Sequence, residues 1–106
     1  MVAGEFHHFG VPTPDEQPEE IFIEGGKVHV TDAESHPFRI EFLRFEEGCP
    51  MPEAIQKNCN AAFMVDDLDA AMAGRDVLLE PFEATDTLKV AFIRDGDAVI
   101  ELMQEF

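Results

Sequence analysis

Apolar residues in the second half of the chain follow patterns that predict four strands and one short helix. The predicted strands, each rich in apolar side chains, are residues 60–65, 77–79, 88–94 and 98–104. Between the first two, Leu68, Ala71 and Met72 fall at i, i+3 and i+4, the spacing of one helix face. Asp66 or Asp67 is a natural N-cap for that helix. An Asp-Gly-Asp turn predicts a hairpin between the last two strands, which completes a strand, helix, strand, strand, strand order.

The first half predicts the same order with its helix shortened or lost. Its predicted strands are residues 5–11, 21–24, 27–31 and 39–46. Where a helix would stand, three prolines interrupt residues 12–20, and each proline removes a hydrogen-bond donor and clashes with the preceding turn. This segment is therefore predicted to be a loop with at most one helical turn. Gly25-Gly26 predicts a two-residue hairpin turn between the second and third strands.

Similar segments recur in the same order in both halves, which indicates two related modules. IEFL at 40–43 matches IELM at 100–103, KVHVTD at 27–32 resembles KVAFIRD at 89–95, and HFGV at 8–11 aligns with NAAF at 60–63. The predicted modules are residues 1–48 and 59–106, joined by a linker at 49–58. With 106 residues in all, the two modules are expected to share one core as a single domain.

Charge and composition exclude several classes of partner. The chain has 23 acidic and 7 basic side chains, a net charge of −16, so phosphate backbones and anionic lipids would be repelled. No apolar run approaches a membrane span, and no leader peptide is predicted, so a cytoplasmic location is expected. There the two cysteines should stay reduced, and their spacing matches no zinc or redox motif. The partner expected is a small molecule, with no nucleic acid and no membrane.

Two acidic residues stand inside apolar strands and are the first candidates for chemistry. Glu41 and Glu101 lie in such runs, where a buried charge is costly unless it is paired or bound to a metal. Nearby arginines offer the plainer explanation, a simple ion pair. In the first strand, alternation places Phe6, His8 and Gly10 on one face.

Three tracts resemble the vicinal oxygen chelate superfamily. NAAFMVDDLDAA at 60–71 resembles the opening of its second module, VAFIRDG at 90–96 followed by VIELM at 99–103 resembles its ending, and HFGV at 8–11 resembles its first-strand metal motif. The superfamily contains glyoxalase I, extradiol dioxygenases, methylmalonyl-CoA epimerase and the fosfomycin and bleomycin resistance proteins. The resemblance covers nearly the whole chain. It implies an α+β fold of two βαβββ modules, the first abbreviated, that form a cup-shaped mixed sheet.

The resemblance also implies a set of site residues. Family ligands come from the first and last strands of each module, which here are His8, Glu41, Asn60 and Glu101. One imidazole and two carboxylates suit a divalent metal ion, whereas Asn60 stands where metal-binding members usually have His. We therefore expect His8, Glu41 and Glu101 as metal ligands and Glu101 also as the catalytic proton carrier. Substrate-binding candidates are Asn60, His29, Phe6 and Phe92.

Three functions remain open at this point. The resemblance implies a glyoxalase-like protein, expected to be a divalent-metal-dependent lyase or isomerase acting on a small oxygenated metabolite, with dioxygenase chemistry less expected. The alternative is a metal-free protein of the resistance type that binds or sequesters a small molecule, and Asn60 favours it. A third is an interaction module whose cup is filled by side chains. A homodimer is expected by resemblance and because a small sheet benefits from covering its edges.

Overall fold

The computed structural model describes residues 4–106, so residues 1–3 of the expected first module lie outside the described part. It is an α+β fold with one sheet and little helix. The strands are β1 Glu5–Pro12, β2 Ile21–Ile23, β3 Val28–Val30, β4 Ile40–Phe45, β5 Asn60–Met64, β6 Asp76–Thr85, β7 Leu88–Asp95 and β8 Ala98–Glu105. The helices are α1 Glu53–Lys57 and α2 Leu68–Met72, with 3-10 turns at Glu24–Gly26 and Ala33–Ser35.

All eight strands join in one curled mixed sheet of order β2-β3-β4-β1-β5-β8-β7-β6. β1 pairs parallel with β4, and β5 pairs parallel with β8. The two halves meet where β1 runs antiparallel to β5 within the same chain. Each half thus contributes four strands in mirrored order, and the predicted cup-shaped α+β fold is confirmed.

The predicted helix of the second half is present and begins as expected. Asp67 is its N-cap, and its Oδ1 accepts a hydrogen bond from the backbone N–H of Ala70 at 3.3 Å. Leu68 and Met72 are buried in a cluster with apolar side chains of β7 and β8 on the convex face of the sheet. Between Pro12 and Ile21 the described chain forms no helix, as the prolines predict.

One turn prediction is wrong, and one predicted strand is longer in the structure than expected. Gly25-Gly26 does not form a two-residue hairpin turn, because Glu24–Gly26 make a 3-10 turn and Lys27 takes the left-handed conformation with φ 47°. The predicted short strand at 77–79 is part of the ten-residue β6, which continues through Pro81. β6 is an edge strand with register shifts, and a proline is tolerated there because its missing N–H need not pair.

The linker between the halves is not merely a connection. Its residues include α1, whose Ile55 is only 1% exposed and packs with Ala62, Val90, Phe92 and other residues on the concave face of the sheet. The linker therefore helps to build the cup. Among the described residues, no helix has the length and apolar character needed to cross a membrane.

Candidate metal centre

Three side chains from distant parts of the chain converge on the concave face. His8 of β1, Glu41 of β4 and Glu101 of β8 each offer a ligand atom, and these atoms lie within 4.8 Å of one another. His8 Nε2 is 3.4 Å from Glu41 Oε1 and 3.6 Å from Glu101 Oε1. The strand order explains this, because β1 lies beside β4 and is separated from β8 only by β5. The structure thus gathers the three expected ligands at one point.

The site combines burial with a concentration of negative charge. His8 is 2% exposed and Glu101 8% exposed, while Glu41 is half-buried. Burial lowers the pKa of His8, but the carboxylates of Glu101 and Glu41 more than offset this and raise it to about 9. Burial, together with the charge of Glu101, raises the pKa of Glu41. In the free protein His8 is therefore a cation held between two acids.

His7 orients the imidazole of His8, and sequence reasoning missed this role. The two Nδ1 atoms are 2.9 Å apart, so one ring donates a hydrogen bond to the other. Burial and the neighbouring His8 lower the pKa of His7, which favours a neutral ring able to accept. When His8 is neutral and donates from Nδ1, the lone pair of its Nε2 points toward the carboxylates. The adjacent histidines were the sequence feature that could have indicated this role. Their geometry depends on a bulge in β1, which the sequence does not show.

That bulge also corrects the face assigned to Phe6. The register between β1 and β5 shifts between Phe6 and His8, so Phe6 lies opposite Phe63 and His8 opposite Ala62. Phe6 is 43% exposed and its ring lies 4.8 Å from that of Phe9, away from the cup. The expected shared face of Phe6 and His8 is wrong, and the structure does not bring Phe6 to the site.

The residues fit a divalent metal ion. His8 Nε2 is buried and forms no well-aligned hydrogen bond within the described chain, although Glu41 Oε1 lies 3.4 Å and Glu101 Oε1 3.6 Å from it. A buried polar atom without a partner is costly, and binding to a cation would satisfy it. One neutral imidazole and two carboxylates are a donor set that divalent transition metals, Mn²⁺ among them, accept. We conclude that the side chains present match the implied cofactor.

Asn60 lies beneath the site rather than in its cavity. It is 2% exposed, and its Nδ2 donates a hydrogen bond to Glu101 Oε1 at 3.1 Å. Its Oδ1 has no partner in the described chain and lies against Gly10, where a Cβ would collide with it. Asn60 therefore holds Glu101 in place. Its side chain does not line the cavity, so the structure does not bring it to where a substrate contact was expected.

The three ligands form the polar end of a cavity of about 230 Å³. Apolar side chains from six strands and α1 form its walls, among them Val28, Leu43, Phe92 and Met103. Phe92, expected to contact substrate, is one of these wall residues. The cavity contradicts the expectation of a cup filled by side chains.

His29 and the nearby arginines lie outside the cavity. Val28 and Val30 point into the cup, so alternation turns His29 to the outer face of β3, where its Nε2 lies 3.0 Å from Glu46 Oε2. Arg44 binds Glu20 through two hydrogen bonds, and Arg39 Nε donates to the backbone carbonyl of His7. Within the described residues, neither site glutamate forms an ion pair with an arginine, so that plainer explanation is wrong.

A comparison with solved structures supports the fold. The chain is similar to the crystal structure of methylmalonyl-CoA epimerase from Mycobacterium tuberculosis, with a TM-score of 0.65 and 17% identity over 100% of this chain and 93% of that chain. No family model and no curated protein matches the sequence. At this identity the likeness shows a shared fold and nothing more about this chain.

Proposed function

We propose that the protein is a vicinal oxygen chelate enzyme, a divalent-metal-dependent isomerase or lyase acting on a small oxygenated molecule. The observation that carries the proposal is the convergence of His8, Glu41 and Glu101 at the end of a cavity, with the buried His8 Nε2 facing both carboxylates. The fold shared with an epimerase supports the isomerase side of the proposal.

Each residue has a distinct part in this proposal. His8, Glu41 and Glu101 would hold the metal ion, which would polarise substrate oxygens and reduce the cost of negative charge on them. Glu101 exchanges a proton with a substrate carbon, since a positioned carboxylate serves as a general base and then as an acid. Asn60 fixes Glu101 Oε1 by hydrogen bonding and leaves the other oxygen for that transfer. The apolar walls keep bulk water from the reacting end.

Metal analysis of the purified protein tests the ligand set. After incubation with manganese, nickel, zinc or calcium and removal of excess ion, we expect one equivalent of metal to remain bound. His8→Ala and Glu101→Ala should lose it. His29→Ala is the matched control, because His29 lies on the outer face and contacts Glu46 instead. Metal content that is unchanged in His8→Ala would contradict the proposal.

Solvent exchange tests the proton transfer. The metal-loaded protein in D₂O should introduce deuterium at the hydroxyl-bearing CH₂ carbon of 2-hydroxyacetophenone, alpha to the carbonyl, as followed by NMR. Glu101→Gln should slow this exchange by roughly 10²–10⁴-fold, the usual loss when a general base is removed. If the probe exchanges no faster with the protein than with the metal ion alone in buffer, the result would argue against the enzyme.

One observation favours the metal-free alternative. A protonated His8 between Glu41 and Glu101 is already charge-compensated, so the site can persist without a metal. A protein that binds none of the four metals but still takes up 2-hydroxyacetophenone would be a binding or sequestering protein of the resistance type.

A further inference from the structure

We infer that the cup selects substrates whose body is small, apolar and uncharged, with oxygen atoms confined to the end that meets His8, Glu41 and Glu101. The inference rests on the proposed function for the location of the reacting end. It goes beyond that function by assigning the chemical class of the remainder of the substrate. It excludes molecules that carry a carboxylate or phosphate at their far end.

The distribution of polarity in the cavity is the first support. His8, Glu41 and Glu101 lie together at one end, and the walls are aliphatic, aromatic or thioether side chains. Thr85, which is exposed, is the one further polar side chain among the described lining residues. A hydroxyl or charge on the body of a ligand would lose water there and gain no hydrogen bond, which is costly. The walls therefore favour hydrocarbon.

Charge is the second support. The described lining includes no lysine or arginine, so an anionic tail finds no partner inside the cup. Two carboxylates already occupy its polar end, and the whole chain carries a net charge of −16. A divalent ion at the three ligands would cancel only the charge of the two glutamates. An anion farther along the cavity would therefore meet a repulsive field.

Size is the third support. The cavity of about 230 Å³ is smaller than the ~300–1,000 Å³ of pockets that take drug-sized ligands. Its walls are closed at one side by Ile55 of α1, which is buried and packed against the sheet. A compact molecule such as a substituted phenyl ketone fits this volume, whereas a ligand with a long polar extension would have to leave the extension in solvent.

Three probes with the same oxygenated head test the inference by titration calorimetry. They are 2-hydroxyacetophenone, its para-carboxamide and its para-carboxylate, of which the last two have nearly the same shape. We expect the parent to bind most tightly and the carboxylate to bind roughly tenfold or more weakly than the carboxamide, because only the carboxylate brings an unpaired charge. Equal binding of carboxylate and carboxamide would overturn the inference, as would failure of the parent to bind at millimolar concentration.

Two variants and one matched control keep the test specific to the cup. Thr85→Lys adds a cation at the exposed side of the cavity and should strengthen binding of the para-carboxylate relative to the carboxamide. Thr87→Lys is the matched control, since Thr87 is exposed on the same hairpin but does not line the cup. Ala84→Phe fills the cavity and should abolish binding of the parent while leaving metal content unchanged. A parent affinity unaffected by Ala84→Phe would show that the probe binds elsewhere and overturn the inference.

The outcomes separate this inference from the proposed function. Metal content and solvent exchange are measured without reference to the tail of the probe, whereas the carboxylate-to-carboxamide ratio is measured in both metal-loaded and EDTA-treated protein. A protein without metal or exchange that still rejects the carboxylate would refute the enzyme and retain the substrate class. A metal-loaded, active protein that binds the carboxylate as well as the carboxamide would support the enzyme and refute the substrate class.

Discussion

At the scale of single residues, a proton and a metal ion compete for His8 Nε2. The two carboxylates beside it raise the pKa of His8 to about 9, so the imidazole is protonated at neutral pH in the free protein. A metal ion binds only the neutral ring. The same two acids that would hold the metal therefore also hold the proton that opposes it.

This competition predicts how metal binding depends on pH. The association constant for Mn²⁺ should rise about tenfold per pH unit between neutrality and pH 9, because one proton must leave His8, and then level off. Calorimetry in buffers of different ionisation enthalpy should record about one proton released at pH 7.5. His29→Ala should keep this slope. An affinity independent of pH across that range would show that His8 is not a ligand.

Gly10 and Asn60 form a close contact that supports the position of Glu101. A Cβ at Gly10 would collide with the carboxamide of Asn60, which in turn holds Glu101. We expect Gly10→Ala to lower the free energy of unfolding by about 1–3 kcal/mol, the usual cost of overpacking. Gly25→Ala, where nothing lies within 4 Å, should change it by about 0.5 kcal/mol or less.

The pair can be tested further by a double-mutant cycle in urea. Asn60→Ala removes the colliding group, so Gly10→Ala combined with Asn60→Ala should cost less than the sum of the two single changes. Strict additivity would mean that the close contact does not determine the need for glycine at position 10.

At the scale of secondary-structure elements, α1 joins the linker to the cup. The helix has only five residues and would not persist alone, since short isolated helices are marginal in water. Its Ile55 is 1% exposed and packs on the concave face of the sheet. Tertiary packing, and not local propensity, therefore holds this element in place.

Truncation of the Ile55 side chain tests whether α1 depends on tertiary packing. Ile55→Ala is expected to lower the free energy of unfolding by about 2–5 kcal/mol, the range for buried isoleucine. Ile21→Ala removes the same atoms at a site that is 63% exposed and should cost about 0.5 kcal/mol or less. Urea denaturation followed by circular dichroism gives both values. Equal costs for the two changes would mean that α1 is not packed in solution.

At the scale of the whole molecule, the net charge of −16 opposes compactness. Acidic side chains outnumber basic ones by 23 to 7, so their mutual repulsion is greater in the folded state than in the expanded chain. We expect the urea midpoint to rise between 10 mM and 300 mM NaCl, because salt screens this repulsion. Urea is suited to this test since it carries no charge. A midpoint that falls with added salt would point to ion pairs as the dominant charge effect.

Association of two copies stays a prediction. The sheet ends in β2 and β6, each hydrogen-bonded to one neighbouring strand in the chain. An open edge strand favours pairing with another chain, and the sequence analysis expects that chain to be a second copy in a homodimer. Light scattering coupled to size-exclusion chromatography should give about twice the mass of 11.9 kDa. A mass of one chain at micromolar concentration would contradict the homodimer.

The amino-acid sequence by itself determined where most strands lie, the short helix of the second half and the doubled arrangement of the fold. These features depend on local periodicity and on proline, glycine and capping residues, whose effects reach only a few positions along the chain. The same local logic singled out Glu41 and Glu101, because acids in apolar strands need a partner. The positions of the long strands β7 and β8 were accordingly predicted within a residue or so.

Only the tertiary structure decided which of those side chains meet. The bulge in β1 turns Phe6 away and places His7 beside His8, and such a shift arises from pairing with β5 rather than from β1 itself. His29 faces outward because the register of β3 commits Val28 and Val30 to the cup. Strand order, register and the packing of Ile55 depend on contacts between residues far apart in the chain, which no local pattern encodes.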